Sequence, residues 1–212
     1  MPWSLSQYGL YQKCLSAYKF RHVERLPDPA GPAASRGTAI HAQLEGYLKT
    51  GSWDTQIPEF TLKKAEVMWA KNYKPEVKLA FNDKWEPVDW QDSTAWVRAV
   101  IDSMAFLGNA VYMGEWKTGK VYENHADQRH LYMTMALAHH TESEVAHIET
   151  IYVDQDHAQA DEMPREKLEE SKVMWLERVG PMLRDTFYSP RPGQHCRWCN
   201  YSKLKGGPCH VA

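Results

Sequence analysis

The stretch AVIDSMAFLGNAVYMGEWK, residues 99–117, decides the fold because two β-like runs flank a Gly-Asn pair. Such a pair between apolar runs predicts a two-residue hairpin turn at Gly108 and Asn109. In the register that this turn sets, Asp102 lies directly opposite Glu115 on the neighbouring strand. A turn of three or four residues would break that register, and it is the alternative that the sequence leaves open.

The predicted hairpin places two carboxylates side by side, with Lys117 close to them. Side chains alternate along a strand, so Glu115 and Lys117 lie on one face. Adjacent buried carboxylates repel each other, and a fold that tolerates them usually supplies a cation. Carboxylate oxygens suit Mg²⁺ or Mn²⁺ as ligands. The alternative interpretation is a solvated ion pair at the end of a surface strand.

The composition is that of an ordinary globular protein with one core. The chain has 212 residues, of which 43% are hydrophobic and 25% charged. The formal charge of −2 gives no global sign of nucleic-acid binding, so any basic surface must be local. The N-terminus lacks the features of a signal peptide, and no stretch has the length of a membrane span, so we expect a cytoplasmic protein without a membrane partner.

Helices and strands are predicted on both sides of the hairpin. The expected helices are at about 4–19, 38–51, 59–73, 125–140 and 164–187, and the expected further strands are at 76–81 and 145–154. A loop rich in Pro, Ala and Gly separates the first two helices, and Pro164 is expected to open the last. This order predicts a single α/β domain over 1–212, with an N-terminal helix and loop at 1–34, a core at 35–187 and a cysteine-rich tail at 188–212.

Two of these helices carry polar pairs at i, i+4 spacing, which places each pair on one helix face. His41 and Glu45 lie beside an apolar stripe, and Gln128 and Tyr132 lie on the helix directly after the hairpin. Taken alone, His41 is interpreted as a structural histidine, and the second pair as ordinary helix surface.

Taken in the order in which they occur along the chain, the polar residues of the hairpin and of these two helices resemble the motifs of the PD-(D/E)XK nuclease superfamily, in its RecB-like branch. The matching positions are His41 in GTAIH, Asp102 in RAVID, Glu115, Trp116 and Lys117 in GEWKTGK, and Gln128 with Tyr132. The resemblance implies a restriction-endonuclease-like core, in which a mixed central sheet flanked by helices carries the metal site. It implies a site for Mg²⁺ or Mn²⁺ made by His41, Asp102, Glu115 and the carbonyl of Trp116. It also implies that Lys117 is the catalytic lysine, and that Gln128 and Tyr132 contact DNA and steady the catalytic carboxylates.

The four cysteines form a second pattern. Cys196 and Cys199 make a Cys-x-x-Cys pair, Cys209 follows after nine residues, and Cys14 is the fourth cysteine of the chain. In a reducing compartment such a pattern indicates zinc or an iron–sulfur cluster rather than disulfides. One cysteine before the core and three after it resemble the iron–sulfur RecB-like exonucleases, which include CRISPR-adaptation exonucleases, the AddB nuclease domain and related phage proteins. This resemblance implies a [4Fe-4S] cluster on the four thiols, with Zn²⁺ as the alternative.

The expected function is therefore that of a metal-dependent DNA exonuclease acting on single-stranded DNA or free DNA ends. The chain has no phosphate-binding Gly-Lys-Ser/Thr loop of a helicase, so we expect a stand-alone nuclease, phage-encoded and active in recombination, repair or degradation of DNA. In a phage-encoded protein the expected location is the host cytoplasm. The alternatives are a non-catalytic module of the same fold that binds DNA ends, and the same nuclease with structural zinc.

Overall fold

A five-stranded sheet forms the centre of the fold, with its strands in the order β1-β2-β3-β4-β5. The computed structural model describes residues 2–52, 57–122 and 125–211. All neighbouring strands run antiparallel except β3 and β4, which are parallel, so the sheet is mixed. The strands are β1 (Lys74–Phe81), β2 (Val97–Leu107), β3 (Ala110–Lys117), β4 (Val145–Tyr152) and β5 (His157–Pro164).

Helices flank this sheet, which confirms the predicted α/β architecture. They are α1 (Leu5–Lys13), α2 (Leu15–Tyr18), α3 (Pro32–Thr50), α4 (Glu59–Ala70), α5 (His125–His139) and α6 (Leu168–Arg184). A π-helical turn covers Lys19–Val23, and 3₁₀ turns cover Arg165–Lys167, Gln194–Arg197 and Lys203–Lys205. Helix α5 lies in the crossover that a parallel strand pair requires. Across the described ranges, no helix has the length and apolar character needed to span a membrane.

Two separate apolar clusters cover the sheet. The larger one joins strand residues such as Ile101 and Met113 to Leu131 of α5 and Trp175 of α6. The second joins α3 and α4 to Trp116 of β3, which is 1% exposed. Since Trp116 packs under α3 and α4, the alternation of β3 directs the side chains on either side of it towards α5.

The β2–β3 hairpin has the predicted turn and register over its first part. Leu107 pairs with Ala110 on either side of the turn, and Gly108 adopts a φ of 65°, which glycine tolerates without steric cost. The backbone pairing ends at Ser103 and Gly114, one step before Asp102 and Glu115. Beyond that step the two strands separate, and we call this opening the fork.

The predictions were wrong for the strand at the far edge of the sheet. No strand was predicted between 154 and 164, but β5 pairs with β4 along its whole length. Most of its side chains are exposed, so it lacks the apolar alternation by which a strand is recognised in a sequence. Pro164 ends this strand instead of opening a helix, and α6 begins at Leu168 after a 3₁₀ turn.

The N-terminal helices also differ from their predicted bounds. The first predicted helix is interrupted at Cys14, whose φ of −162° and ψ of 117° are extended rather than helical. Helix α3 begins at Pro32, inside the predicted loop, because a proline at the first helical position has no N–H to leave unpaired.

Gly114 is packed so closely that a larger residue would disturb the hairpin. A Cβ at this position would lie 2.6 Å from Ser103 Oγ and still closer to the terminal methyl carbon of Met68. We expect Gly114→Ala to lower the free energy of unfolding by about 1–3 kcal/mol, the usual cost of overpacking, in urea denaturation.

The control for this variant is Gly46→Ala in α3, where an added Cβ meets no atom within 4 Å. That change should be neutral or stabilising, because alanine favours a helix interior. In the double variant with Met68→Ala, the loss of stability should be smaller than the sum of the two single losses, because the two residues are in contact. A Gly114→Ala protein as stable as wild type would contradict the packing argument.

Candidate active site

Asp102 lies at the point where the fork opens, and both of its carboxylate oxygens are engaged. Oδ2 accepts a hydrogen bond of 2.8 Å from the backbone N–H of Trp116. Oδ1 lies 3.2 Å from Nδ1 of His41, which extends from α3. A side chain therefore replaces the backbone bond that would otherwise continue the β2–β3 ladder.

Glu115 is the most deeply buried carboxylate of the site, with 5% of its side chain exposed. Its Oε1 accepts two hydrogen bonds of 2.7 Å, from Nζ of Lys117 and from Nε2 of Gln128. Its Oε2 is buried and has no hydrogen-bond partner among the residues described. A buried carboxylate oxygen without a donor is costly, and it is the feature that a bound cation would satisfy.

Gln128 is held in place by a chain of hydrogen bonds. Its Nε2 also donates to the hydroxyl of Tyr132 at 3.0 Å, and that hydroxyl donates to the carbonyl of Val100 at 3.1 Å. Val100 lies on β2 beyond the last backbone pair with β3, so its carbonyl is available at the fork. Helix α5 thus spans the fork and connects the two strands through side chains.

The carboxylates of the site are only partly neutralised by the cations beside them, and the pKa values of the site residues are shifted as a result. Burial, followed by the charge of Asp102, raises the pKa of Glu115 to about 7, against the opposing effect of Lys117. For His41, burial acts to lower the pKa, but the hydrogen bond and charge of Asp102 outweigh it and raise the pKa. Burial and then the charge of Glu115 raise the pKa of Tyr132, which therefore stays protonated.

Glu76 is a nearby acidic residue that the sequence reasoning missed. It lies on β1 between the pairs Pro75–Ser103 and Val77–Ile101, so it neighbours Asp102. Its φ of 51° is rare for a side chain other than glycine, and it interrupts the ladder there. Burial, then the charges of Asp102 and Glu45, raise the pKa of Glu76. No periodicity could have indicated this residue, since its position follows from an irregular backbone.

A cleft of about 900 Å³ opens beside the fork. Lys117, Gln128 and Tyr132 line it on one side, together with His125 at the start of α5. The opposite wall is formed by the first residues of the chain and by α1. The cleft therefore gives a substrate access to the groups that surround Glu115.

The four cysteines lie close together where the N-terminal segment meets the tail. All four are free thiols, and they line one small cavity between Cys14 and the tail. Burial raises the pKa of Cys199, and the other three thiols contribute to the same shift through their charges. The sequence predicted a [4Fe-4S] cluster, or Zn²⁺, on these four residues. In the described part of the chain the thiols line one cavity, but they are not positioned as a group that could hold a metal ion.

The predicted metal ligands lie on three adjacent elements without converging. His41 comes from α3, Asp102 from β2 and Glu115 from β3. As the side chains stand, residues 2–52, 57–122 and 125–211 contain no group of three or more His, Cys, Asp or Glu that could hold a metal ion. The donor set and the unpartnered Oε2 of Glu115 fit a divalent cation chemically.

Comparisons with known proteins agree with this architecture. The sequence profile of the PD-(D/E)XK nuclease superfamily matches residues 2–107 and 85–204, which together span most of the chain. No curated protein matches.

Two solved structures match this chain. One is a protein from Eubacterium rectale described as a candidate exonuclease, with a TM-score of 0.53 and 14% identity, covering 94% of this chain and 87% of that one. The other, SSO0001, has a TM-score of 0.47 and 19% identity and covers 100% of this chain and 88% of that one. At these identities the first likeness concerns the fold alone.

The buried charge of Glu115 should destabilise the metal-free protein. Its pKa is raised in the folded state, so the cost is absent below about pH 4.5, grows as the pH rises to about 7 and is then constant. We expect Glu115→Gln to have the higher free energy of unfolding in urea at pH 8, by up to about 3 kcal/mol, and to equal wild type at pH 4.

The exposed Glu142 provides the control, and Glu142→Gln should match wild type at both pH values. A Glu115→Gln protein that is less stable than wild type at pH 8 without metal would show that the ionised carboxylate is well satisfied.

Proposed function

Because the chain belongs to the PD-(D/E)XK nuclease superfamily, we propose that it is a metal-dependent DNA exonuclease with its active site at the fork. The observation that carries this proposal is the pair of carboxylates, Asp102 and Glu115, on neighbouring strands beside an open cleft. One oxygen of Glu115 is buried without a donor. A purely structural carboxylate would have no use for that arrangement, because it only costs stability.

The groups proposed to hold Mg²⁺ or Mn²⁺ are His41, Asp102, Glu115 and the carbonyl of Trp116. Hard oxygen donors with one imidazole suit either ion. When bound, such a cation neutralises charge on a phosphodiester and acidifies a water molecule. Trp116 is fixed for this role by its burial under α3 and α4 and by its N–H bond to Asp102.

Lys117 is proposed to orient the attacking water and to stabilise the charge that develops on the phosphate. Its Nζ already lies 2.7 Å from Glu115 Oε1, and it lines the cleft. Gln128 and Tyr132 are proposed to hold Glu115 in position and to contact the DNA strand. Their hydrogen bonds to Glu115 and Val100 support the positioning part of this assignment.

The exonuclease assignment, rather than nuclease in general, is supported by the resemblance in sequence. The likeness in fold to a candidate exonuclease from Eubacterium rectale is in keeping with it. The competing proposal is a DNA-end binding module without activity, which would have no need of the Asp102, Glu115 and Lys117 group. A phage origin, a cytoplasmic location and a role in recombination, repair or degradation stay predictions from the sequence.

The decisive experiment is cleavage of end-labelled linear DNA with Mn²⁺, compared with closed circular DNA. Asp102→Ala and Glu115→Ala should lower the cleavage rate at least a hundredfold, since each removes a proposed metal ligand. Lys117→Ala should bind DNA normally but cleave it as slowly as the two carboxylate variants do. His41→Ala should lose less with Mn²⁺ than with Mg²⁺, because Mg²⁺ demands a near-ideal octahedral set of ligands and therefore tolerates the loss of one ligand less well.

Glu142→Ala is the matched control, because it removes an exposed carboxylate far from the cleft lining. Near-wild-type turnover by Glu115→Ala would exclude the catalytic assignment. DNA binding by wild type without any cleavage would favour the binding module, and equal cleavage of circular DNA would indicate an endonuclease.

For the thiol cavity, we propose a [4Fe-4S] cluster on Cys14, Cys196, Cys199 and Cys209, with Zn²⁺ as the alternative. The proposal is supported by the four free thiols that line one cavity and by the absence of any disulfide between them. Thiolates are the ligands that both groups prefer. Either group would join the N-terminal segment to the tail.

The iron content and visible absorbance of anaerobically purified protein test this proposal. Cys14→Ser should lose iron and colour together and should make the tail more accessible to protease, because the tail would lose one of its links to the N-terminal segment. Ser202→Ala is the control, since its hydroxyl lines the same cavity and has no described hydrogen-bond partner. One zinc ion per chain without colour would select the alternative, and a Cys14→Ser protein with full metal content would exclude a four-cysteine site.

A further inference from the structure

A cation–aromatic group lies at the end of the cleft away from Glu115. Trp90, in the loop between β1 and β2, has the guanidinium of Arg98 at 5.4 Å and the ammonium of Lys78 at 5.7 Å from its ring centroid. Trp90 and Arg98 both line the cleft, as does Lys13 on the opposite wall. We call Trp90, Arg98 and Lys78 the Trp90 subsite.

The cations of this group lack the partners that surface cations usually have. Neither Lys78 nor Arg98 makes an ion pair with any carboxylate in the described part of the chain. Arg98 makes one long hydrogen bond of 3.5 Å, from Nη2 to the carbonyl of Asp92, and its buried Nε has no described partner. The carboxylate of Asp92 accepts hydrogen bonds from Thr94 instead. The positive charge is therefore available to an anion.

The position of the group relative to the fork suits a polymer substrate. Arg98 precedes Asp102 by four residues on β2, which corresponds to roughly 13 Å along an extended strand. A phosphate at Arg98 would thus belong to a nucleotide a few steps from one at the fork. The backbone of Arg98 is also fixed, because its N–H donates to the carbonyl of Trp3 at 2.9 Å.

We propose that the Trp90 subsite binds a nucleotide of single-stranded DNA a few positions from the scissile phosphate, with the base against Trp90 and the phosphate on Arg98 and Lys78. This inference rests on the proposed function. Proteins that bind single strands without sequence preference commonly stack a base on an aromatic side chain and contact the phosphate with nearby cations. The base must be unpaired to reach the indole, so the subsite selects a single strand or a frayed end over a paired duplex.

Two substrates distinguish binding at the Trp90 subsite from hydrolysis at the fork. One is the small phosphodiester thymidine 5′-p-nitrophenyl phosphate, which can occupy the fork but cannot reach Trp90, and the other is a labelled oligothymidylate of twenty nucleotides. We expect Trp90→Ala to lower kcat/KM on the oligonucleotide by roughly fivefold to a hundredfold, the range for one lost base stack. Hydrolysis of the small substrate should be unchanged.

Further variants refine the test. Trp90→Phe should retain most of the activity on the oligonucleotide, because it keeps an aromatic face. Arg98→Ala should reduce the slope of log binding affinity against log salt by about 0.7, the value for one phosphate contact on a single strand. Lys84→Ala is the control, since Lys84 is an exposed lysine in the same loop that does not line the cleft, and it should leave both readouts unchanged.

Equal kcat/KM for Trp90→Ala and wild type on the oligonucleotide would overturn the proposal, as would an equal loss on both substrates. An unchanged salt slope in Arg98→Ala, or a larger loss for Trp90→Ala on paired duplex than on single strand, would also overturn it. If wild type hydrolyses neither substrate, the proposed function fails, whereas the subsite is still judged by oligonucleotide binding and its salt slope.

Discussion

The hydrogen bond from the N–H of Trp116 to Oδ2 of Asp102 determines how the two central strands separate. A regular hairpin would continue its backbone ladder beyond Ser103 and Gly114, and it would leave no space between the strands. Here an aspartate side chain satisfies the N–H, so the strands can diverge without leaving a buried donor unpaired. The divergence creates the cleft and leaves the carbonyl of Val100 for Tyr132. The position of α5 across the fork thus depends on that one substitution of a side chain for a backbone group.

The same arrangement lowers the stability of the fold, and this cost arises at Glu115. Glu115 receives two donors on one oxygen and none on the other, while Asp102 adds negative charge beside it and itself lies near the charge of Glu76. Lys117 compensates only in part, as the raised pKa of Glu115 indicates. Natural proteins retain such local conflicts chiefly at functional sites, where the missing partner is a ligand or substrate. The remainder of the sheet is well packed, with Trp116, Ile101 and Leu131 almost fully buried, so the core can support a strained site.

The sequence predicted those parts of the fold that local chemistry determines. The Gly108 turn needs a positive φ that glycine allows, and the register of the first hairpin pairs follows from it. The grouping of Gln128 with Glu115 was implied only by the resemblance to the nuclease motifs, because helical spacing alone indicated an ordinary helix surface, and the structure shows the hydrogen bond between them. In contrast, β5 is too polar to show alternation, and the left-handed conformation of Glu76 has no local signature. Trp90 lies in an irregular loop, and only the tertiary structure shows that two cations from β1 and β2 contact it.

The tail and the N-terminal segment are joined by more than the four thiols. Tyr11 donates to the carboxylate of Asp185 at 2.9 Å, Ser16 donates to the carbonyl of Tyr188 at 2.6 Å, and Arg191 donates to the carbonyl of Gln12 at 2.8 Å. These bonds attach α1, one wall of the cleft, to residues 185–191, which precede the cysteine-rich part of the tail. Residues 194–209 have further bonds of their own, because Asn200 donates to the carboxylate of Asp28 at 2.6 Å and Tyr201 donates to the carbonyl of Leu26 at 3.3 Å. Loss of a cluster would therefore leave both parts of the tail attached to the N-terminal segment. A cluster at this position would stabilise the tail directly, and it would act on the cleft through Cys14, which immediately follows α1, the helix that lines one wall of the cleft.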